Sequence, residues 1–172
     1  MDRVIDFASP PGRLRLRPET EADRDFRFEL FCASRSPEWQ MVALEPTLFR
    51  QIMLQQFQAQ TQSYGTQFPL ARFDIVELDG GAVGRFVVDR RDTSIHVVDI
   101  AILPAFRRRG IGTALMTALI DQACRTEKPV RLMVASSNDP SMQFYLRLGF
   151  AVIETYPAYL EMEWRRETKP LP

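Results

Sequence analysis

The stretch that most constrains this chain runs from residue 95 to residue 126, IHVVDIAILPAFRRRGIGTALMTALIDQACRT. Its first part, Ile95 to Leu103, is rich in β-branched residues and stops at Pro104, which cannot donate a hydrogen bond to a neighbouring strand. Its last part repeats apolar residues with the period of a helix, at Ile111, Ala114, Leu115, Ala118 and Leu119. The sequence therefore predicts a strand, a basic glycine-containing turn and a long helix.

The turn between these two elements has the composition of an anion-binding site. Three arginines and two glycines stand directly before and within the first turn of the helix, in the order Arg107, Arg108, Arg109, Gly110, Ile111, Gly112. The first N–H groups of a helix have no partner inside it and lie at the positive end of the helix dipole. Glycine lets the backbone approach a ligand closely or take a positive φ. The turn alone fits either a diphosphate site or a solvated basic turn.

Two motifs together carry a resemblance to a known family. The pattern R-x-x-G-x-G after a strand ending in Leu-Pro resembles the acyl-CoA pyrophosphate motif of the GNAT superfamily of N-acetyltransferases. Downstream, Asn138 to Phe150 reads NDPSMQFYLRLGF and resembles the N-x-x-A-x-x-F-Y-x-x-x-G-F helix of that family, with Ser141 replacing the commoner alanine. The resemblance covers about residues 70 to 165 and extends to the first 65 residues only in outline.

Periodicity and turn signals predict the element order β-α-α-β-β-β-α-β-α-β-β, which is typical of an α/β (α+β) protein. The resemblance implies the GNAT fold, a mixed, mostly antiparallel central sheet of about seven strands flanked by about four helices. In that fold the fourth and fifth strands splay apart, and pantetheine enters between them. Here those strands correspond to Ile95–Leu103 and Val130–Ala135.

The length predicts a single domain over residues 1–172, with a loose N-terminal arm over 1–12 and a C-terminal tail over 166–172. Two helices are predicted early in the chain, one from Thr20 to Ala33 with Ser36-Pro37 after it, and one that starts at Glu45-Pro46-Thr47 and ends at Gly65. They fall where GNAT proteins place their variable, substrate-side segment. Aromatic and apolar residues there are candidates for a pocket or for core: Phe28, Phe31, Trp39, Met41, Phe49, Tyr64 and Phe68.

Composition argues against several other classes of protein. The formal net charge is +0, so no overall basic charge favours nucleic acid or an anionic membrane. No run of 18 apolar residues predicts a membrane span, and the N-terminus shows no secretory signal. One histidine and two cysteines make a metal site and a disulfide framework unexpected. A cytoplasmic location is the default expectation.

The resemblance implies roles for individual residues. The cosubstrate would be acetyl-CoA, with its pyrophosphate on the N–H groups of Arg109 to Thr113 and on the arginines. Its pantetheine would pair with the backbone of Ile100, Ala101 and Ile102, as in strand addition. Asn138 would contact CoA. Tyr145 would act as the general acid on the CoA sulfur; packing for Tyr145 and helix capping for Asn138 are the alternatives.

The general base is left open by the sequence. Many relatives use a carboxylate on the fourth strand or a water relay, and one such position falls on His96. A neutral imidazole can take a proton from an ammonium group near pH 7. Asp99, on the opposite face of the strand, is the second candidate.

These residues imply direct acetyl transfer from acetyl-CoA to a primary amine in a ternary complex. The acceptor would be a small molecule or a protein N-terminus, and a homodimer, common in the family, stays open. The alternative is a GNAT-fold acyl-CoA binding or sensor protein with little or no catalysis. Turnover with any amine separates the two.

Overall fold

The computed structural model describes residues 5–9, 12–35 and 45–166. The chain divides into two compact units. The first comprises Met1–Val87 and Asp99–Gly112, and the second comprises Val88–Val98 and Thr113–Pro172. Two strands and one helix contribute residues to both units, and each unit is described by itself below.

Eight strands and four α-helices lie within the described residues. The strands are β1 (Ile5–Ser9), β2 (Gly12–Pro18), β3 (Arg72–Leu78), β4 (Gly81–Arg90), β5 (Ile95–Ile102), β6 (Val130–Ala135), β7 (Ala151–Thr155) and β8 (Tyr159–Trp164). The helices are α1 (Arg24–Ser34), α2 (Pro46–Gln67), α3 (Ile111–Thr126) and α4 (Asp139–Arg147). Short 3₁₀ helices precede α1 at Glu21–Asp23 and follow β5 at Pro104–Phe106. The predicted mixed α/β fold is confirmed.

In the first unit the strand order is β1-β2-β3-β4-β5. The strand β1 pairs antiparallel with β2, from Ile5 opposite Leu16 to Ser9 opposite Gly12. The prediction of a loose arm over residues 1–12 is therefore wrong for residues 5–9. The sequence placed the end of this arm at Pro10-Pro11-Gly12, whereas residues 5–9 pair with β2 as a strand. In β2, Leu14 and Leu16 are buried and alternate with arginines.

An ion-pair cluster connects β2, β3 and the start of α1. The guanidinium of Arg17 donates to both carboxylate oxygens of Asp23, at 2.6 and 2.8 Å, and to Glu77 at 2.6 Å. Asp23 also accepts a hydrogen bond from the backbone N–H of Thr20 at 2.8 Å. These bonds, Arg17's above all, hold the pKa of the Asp23 carboxyl well below its usual range. The chain reversal before α1 is thereby fixed by charge-assisted hydrogen bonds.

The helices α1 and α2 pack through aromatic side chains. Phe31, Met53 and Phe57 form a buried cluster, and the rings of Phe31 and Phe57 meet edge to face at 5.6 Å. The buried residues of α2 are Met53 and Phe57, and those of α1 are Arg27, Leu30 and Phe31.

The end of α2 differs from the prediction. The helix was expected to stop at Gly65, but it continues to Gln67, and the N–H of Phe68 donates to the carbonyl of Tyr64 at 2.9 Å. Gly65 is an exposed residue inside the helix. Glycine destabilises a helix by about 1 kcal/mol relative to alanine, and packing elsewhere along α2 offsets this loss. Ser36, Pro37, Trp39, Met41 and most of the predicted tail lie outside the described residues.

In the second unit the strand order is β4-β5-β6-β8-β7. The strands β5 and β6 are parallel, whereas β6 with β8 and β7 with β8 are antiparallel. The β5–β6 ladder runs from Ile95 opposite Val130 to Val97 opposite Leu132, although β5 continues to Ile102.

Residues at each end of α4 fix the bounds of this helix in the second unit. The side chain of Asn138 caps α4 by accepting from the N–H of Ser141 at 3.3 Å. After α4, Gly149 takes φ 88°, the left-handed conformation that ends helices and favours glycine. Within the described ranges, no helix is both long enough and apolar enough to cross a membrane.

Candidate active site

The basic turn links β5 to α3 as predicted. The helix α3 begins at Ile111, directly after the turn, and Arg108 and Gly110 have φ values of 59° and 80°. Left-handed conformations at these two positions reverse the chain just before the helix. The first N–H groups of α3, which include that of Gly112, lack carbonyl partners within the helix. The turn therefore combines fixed positive charge with available backbone donors.

The three arginines of the turn differ in what they contact. The Nε of Arg107 donates to the carbonyl of Ile102 at 2.8 Å, and its Nη2 donates to the carbonyl of Ala33 at 3.2 Å. Arg107 thus ties the turn to the end of β5 and to the C-terminal turn of α1, where a cation is favoured. The guanidinium of Arg109 lies 5.2 Å from the ring centroid of Phe106. Arg108 and Arg109 are exposed, so both can bind an anion from solvent.

The second half of β5 carries the backbone expected to pair with pantetheine, Ile100 to Ile102. A Cβ atom on Gly84 of β4 would lie 2.5 Å from the carbonyl oxygen of Ala101 and 2.6 Å from Cδ1 of Ile102. Only glycine therefore allows β4 to approach β5 this closely. The N–H of Leu103 donates to the carbonyl of Val83 at 2.9 Å, so β5 is held against β4 up to its end.

A cavity of about 120 Å³ lies within the first unit. Asp99 of β5 and Arg85 of β4 line it from the sheet, together with Ala101. The remaining lining residues come from α1 with its C-terminal cap and from α2: Arg27, Leu30, Phe31, Ser34, Arg35, Phe57 and Gln60. The two early helices of the chain therefore form one wall of a pocket whose other wall is the sheet.

Asp99 belongs to a chain of charged groups in this cavity. Its Oδ2 lies 3.4 Å from Nη1 of Arg85, and Arg85 also donates to both carboxylate oxygens of Glu19, at 2.9 and 3.3 Å. Burial raises the pKa of the Asp99 carboxyl, and the positive charge of Arg85 opposes that increase. The carboxyl group of Asp99 therefore loses its proton at a higher pH than the carboxyl group of an exposed aspartate does.

Tyr64 of α2 lies beside the same charges. Burial, followed by the negative charge of Asp99, raises the pKa of Tyr64 to about 12. Its hydroxyl accepts a hydrogen bond from Nε2 of Gln60 at 3.3 Å, and the guanidinium of Arg85 lies 6.0 Å from its ring centroid. Tyr64 therefore stays protonated at neutral pH.

His96, the other candidate base, lies in the second unit. Its Nε2 is 2.9 Å from the hydroxyl oxygen of Ser94, and its ring is half-buried. Burial lowers the pKa of His96, and the positive charges of Arg91 and Arg131 lower it further. The imidazole is therefore neutral near pH 7 and is already engaged with a hydroxyl group.

Tyr145 and Asn138 lie on α4 of the second unit. The ring of Tyr145 is buried and packs at 5.2 Å from that of Phe144 and at 5.7 Å from that of Phe150, between centroids. Asn138 caps the helix, which was one of the two roles considered for it. Packing and capping are thus observed for these two residues, and their predicted contacts with CoA stay predictions.

The comparison with known families is decisive at this point. The sequence profile described as "Acetyltransferase (GNAT) family" matches residues 28–150, which is more than half of the chain. The chain belongs to the GNAT family of acetyltransferases. The match includes the basic turn and the Asn138–Phe150 motif.

Individual GNAT proteins agree with this assignment. The N-alpha-acetyltransferase of Sulfurisphaera tokodaii is 33% identical over 104 residues, which cover 52% of this chain and 62% of that protein. The matched segment thus spans less than two thirds of that relative. The PaiA N-acetyltransferase of Thermoplasma acidophilum, solved with coenzyme A, has a similar fold (TM-score 0.67, 14% identity, 89% of this chain and 99% of that chain).

A third similar protein is a GNAT acetyltransferase of Elizabethkingia anophelis with acetyl-CoA bound (TM-score 0.59, 15% identity, 89% of this chain and 98% of that chain). At this identity the likeness concerns the fold. Acetyl-CoA is the cosubstrate of the GNAT family.

Sequence reasoning missed the charged residues of the cavity. These residues come from three segments: Arg27 and Arg35 from α1 and its C-terminal cap, Arg85 from β4, and Glu19 from just after β2, 66 residues from Arg85 in the chain. One local signal was available, because Arg27 shares a helical face with Leu30 and Phe31. A charged residue on the apolar face of a GNAT helix is a sign of a buried ion pair or a binding site.

Proposed function

We propose that this chain, as a single domain over residues 1–172, transfers the acetyl group of acetyl-CoA to a primary amine. The observation that carries the proposal is the left-handed basic turn between β5 and α3, in a chain whose residues 28–150 match the GNAT profile. A primary amine as acceptor is further supported by the name of the Sulfurisphaera relative, an N-alpha-acetyltransferase.

The cosubstrate is held mainly by backbone groups in this proposal. The N–H groups from Arg109 to Thr113 bind the pyrophosphate, and the exposed guanidinium groups of Arg108 and Arg109 add charge-assisted bonds. Arg107 orients the turn through its bonds to Ile102 and Ala33 and contributes its charge. The backbone of Ile100, Ala101 and Ile102 pairs with pantetheine as an added strand would. Asn138 contacts CoA in addition to capping α4.

We propose Asp99 as the general base in preference to His96. Asp99 lines a cavity, and burial raises the pKa of its carboxyl above that of an exposed aspartate. His96 is half-buried, its Nε2 is engaged with Ser94, and its pKa is lowered. A carboxylate that faces a cavity can meet an acceptor ammonium, whereas the His96 ring already contacts a hydroxyl group.

The reaction is a direct transfer in a ternary complex. Asp99 takes a proton from the acceptor ammonium, and the free amine nitrogen forms a bond to the thioester carbonyl carbon. The C–S bond then breaks, the thiolate takes a proton from the hydroxyl of Tyr145, and the nitrogen gives up its second proton, which restores that hydroxyl. Asp99 releases the first proton to solvent. The N–H of Ile100 polarises the carbonyl oxygen as charge develops on it. The products are an N-acetyl amine and free CoA.

Initial-rate kinetics test this proposal. CoA release is measured while acetyl-CoA and a primary amine are varied against each other. A ternary-complex mechanism gives intersecting double-reciprocal lines, whereas an acyl-enzyme would give parallel lines. Binding of acetyl-CoA without turnover of any amine would contradict the proposal and favour an acyl-CoA binding protein.

A further inference from the structure

The cavity of the first unit carries more positive than negative charge. Three arginines line it, Arg27, Arg35 and Arg85, but only one carboxylate does, that of Asp99. Glu19, behind the cavity wall, pairs with Arg85 at 2.9 Å and with Arg27 at 3.4 Å. Arg85 thus pairs with both Asp99 and Glu19, and Arg27 pairs with Glu19. Among the residues that the structure describes, no carboxylate forms an ion pair with Arg35.

Two buried guanidinium donors have no partner among the described residues. The Nε atoms of Arg27 and Arg35 are inaccessible to solvent, and neither makes a hydrogen bond to any described residue. Arg27 is only 9% exposed as a whole residue. A buried charged donor without an acceptor costs more free energy than the hydrogen bond it would make is worth. An anionic group in the cavity would satisfy donors that the described part of the chain leaves unpaired.

Arg35 is held in place for such a contact. Its guanidinium lies 4.1 Å from the ring centroid of Phe31, and both side chains line the cavity. Stacking on an aromatic face restrains the guanidinium while its edge stays free for hydrogen bonds. Arg35 also lowers the pKa of Asp99 through its charge, so the two groups act on each other electrostatically.

The cavity is small relative to typical ligand sites. Its volume of about 120 Å³ compares with about 300–1,000 Å³ for pockets that enclose a whole ligand. Leu30, Phe31 and Phe57 make part of its wall apolar. It therefore has room for the reactive end of an acceptor, with one amine and one further polar group.

We infer that the acceptor is a primary amine with a carboxylate a few bonds away, and that Arg35, together with Arg27, binds this carboxylate while Asp99 receives the ammonium. The inference rests on the proposed function and adds the substrate class. A free amino acid and a peptide that begins with an acidic residue both carry a primary amine and a nearby carboxylate.

The test compares acceptors that differ only in this charge. One pair is β-alanine and β-alaninamide, and the other is two C-terminally amidated tetrapeptides that begin with aspartate or asparagine. The assay uses the full chain with saturating acetyl-CoA. We expect kcat/KM to be at least tenfold higher for the carboxylate member of one pair, because a charge-assisted hydrogen bond to a guanidinium group is worth at least that factor. The preferred pair identifies the source of the carboxylate. Equal kcat/KM within both pairs, with turnover present, would overturn the inference and leave the proposed function standing.

Variants of Arg35 assign the effect to this residue. Arg35→Gln is expected to reduce the preference to about one, and Arg35→Lys is expected to keep part of it. Arg24→Gln, an exposed arginine on the same helix, is the matched control and should keep the full preference. If Arg35 only stabilises the end of α1, Arg35→Gln will lower the unfolding temperature without changing the preference, which would also overturn the inference.

A binding measurement separates the inference from the proposed function. The CoA-bound protein is titrated calorimetrically with the aspartate and asparagine peptides and with β-alanine and β-alaninamide. Tighter binding of a carboxylate member that is lost in Arg35→Gln, without turnover of any amine, would support the anion site and contradict the transferase. Turnover of an amine without any such difference in binding would support the transferase and contradict the anion site.

Discussion

The Nη1 atom of Arg85 lies 3.4 Å from Oδ2 of Asp99, in a cavity where burial favours the neutral carboxyl group. Arg85 is buried and also pairs with Glu19 on the opposite side. Burial favours the protonated carboxyl group of Asp99, whereas Arg85 favours the carboxylate. Asp99 can therefore exchange a proton, and the first two predictions test this property.

Asp99→Asn is expected to lower kcat/KM by roughly 100- to 10,000-fold, because the amide cannot accept the ammonium proton. The measurement is CoA release under subsaturating amine. His96→Asn is the matched control and should stay within a fewfold of wild type, since Asp99 is retained. A large loss in the His96 variant together with a small loss in the Asp99 variant would reassign the base to His96.

Arg85→Gln is expected to move the acidic limb of the pH profile of kcat/KM to higher pH. The base must be deprotonated to act, so the rate rises as pH increases through the pKa of Asp99. Arg85 lowers that pKa more than Arg35 does, whereas Glu19 raises it, so loss of Arg85 removes the larger of the two lowering charges and the pKa of Asp99 rises. A limb that stays in place, or moves to lower pH, would show that another group titrates.

Tyr145→Phe is expected to lower kcat by roughly 10- to 1000-fold, with a smaller change in the KM for acetyl-CoA. The variant keeps the ring that packs against Phe144 and Phe150, so only the hydroxyl group is tested. Tyr159→Phe, at an exposed position on β8, serves as the control. A wild-type rate for the Tyr145 variant would leave that residue a packing role only.

Gly84→Ala is expected to lower the free energy of unfolding by about 1–3 kcal/mol, because the added Cβ meets the backbone carbonyl of Ala101 at 2.5 Å. Gly65→Ala is the matched control. It lies in α2 with no atom within 4 Å of the added Cβ, and it should stabilise the protein by about 0.5–1 kcal/mol. Denaturant unfolding of both variants checks the opposite signs. A neutral Gly84→Ala would mean that β4 and β5 adjust freely.

Local signals explain which parts of the fold could be predicted from the sequence. The β5–turn–α3 segment has β-branched residues, a stop at Pro104 and a helical period, all within about thirty residues. Asn138 and Gly149 mark the ends of α4 by their own backbone and side-chain chemistry. These features need no distant partner, and the structure has them where the sequence indicates.

The parts that could not be predicted depend on distant partners. The strand β1 exists through pairing with β2, and five residues carry too short a pattern to indicate it. Glu19 and Arg85 meet because β2, β3 and β4 lie side by side in the sheet and bring separate segments together. For the same reason the sequence placed His96 before Asp99 as the candidate base, since the surroundings of both residues come from other strands and helices.

The most direct test of the account is calorimetric titration of the protein with acetyl-CoA, alongside Gly112→Val and the control Gly65→Val. We expect micromolar or tighter binding for the wild type and for Gly65→Val. Gly112→Val should bind at least 100-fold more weakly while it stays folded, because its side chain blocks approach of the phosphates to the start of α3. Equal affinity of all three proteins would contradict the assignment of the turn, and no binding of millimolar acetyl-CoA by the wild type would contradict the transferase itself.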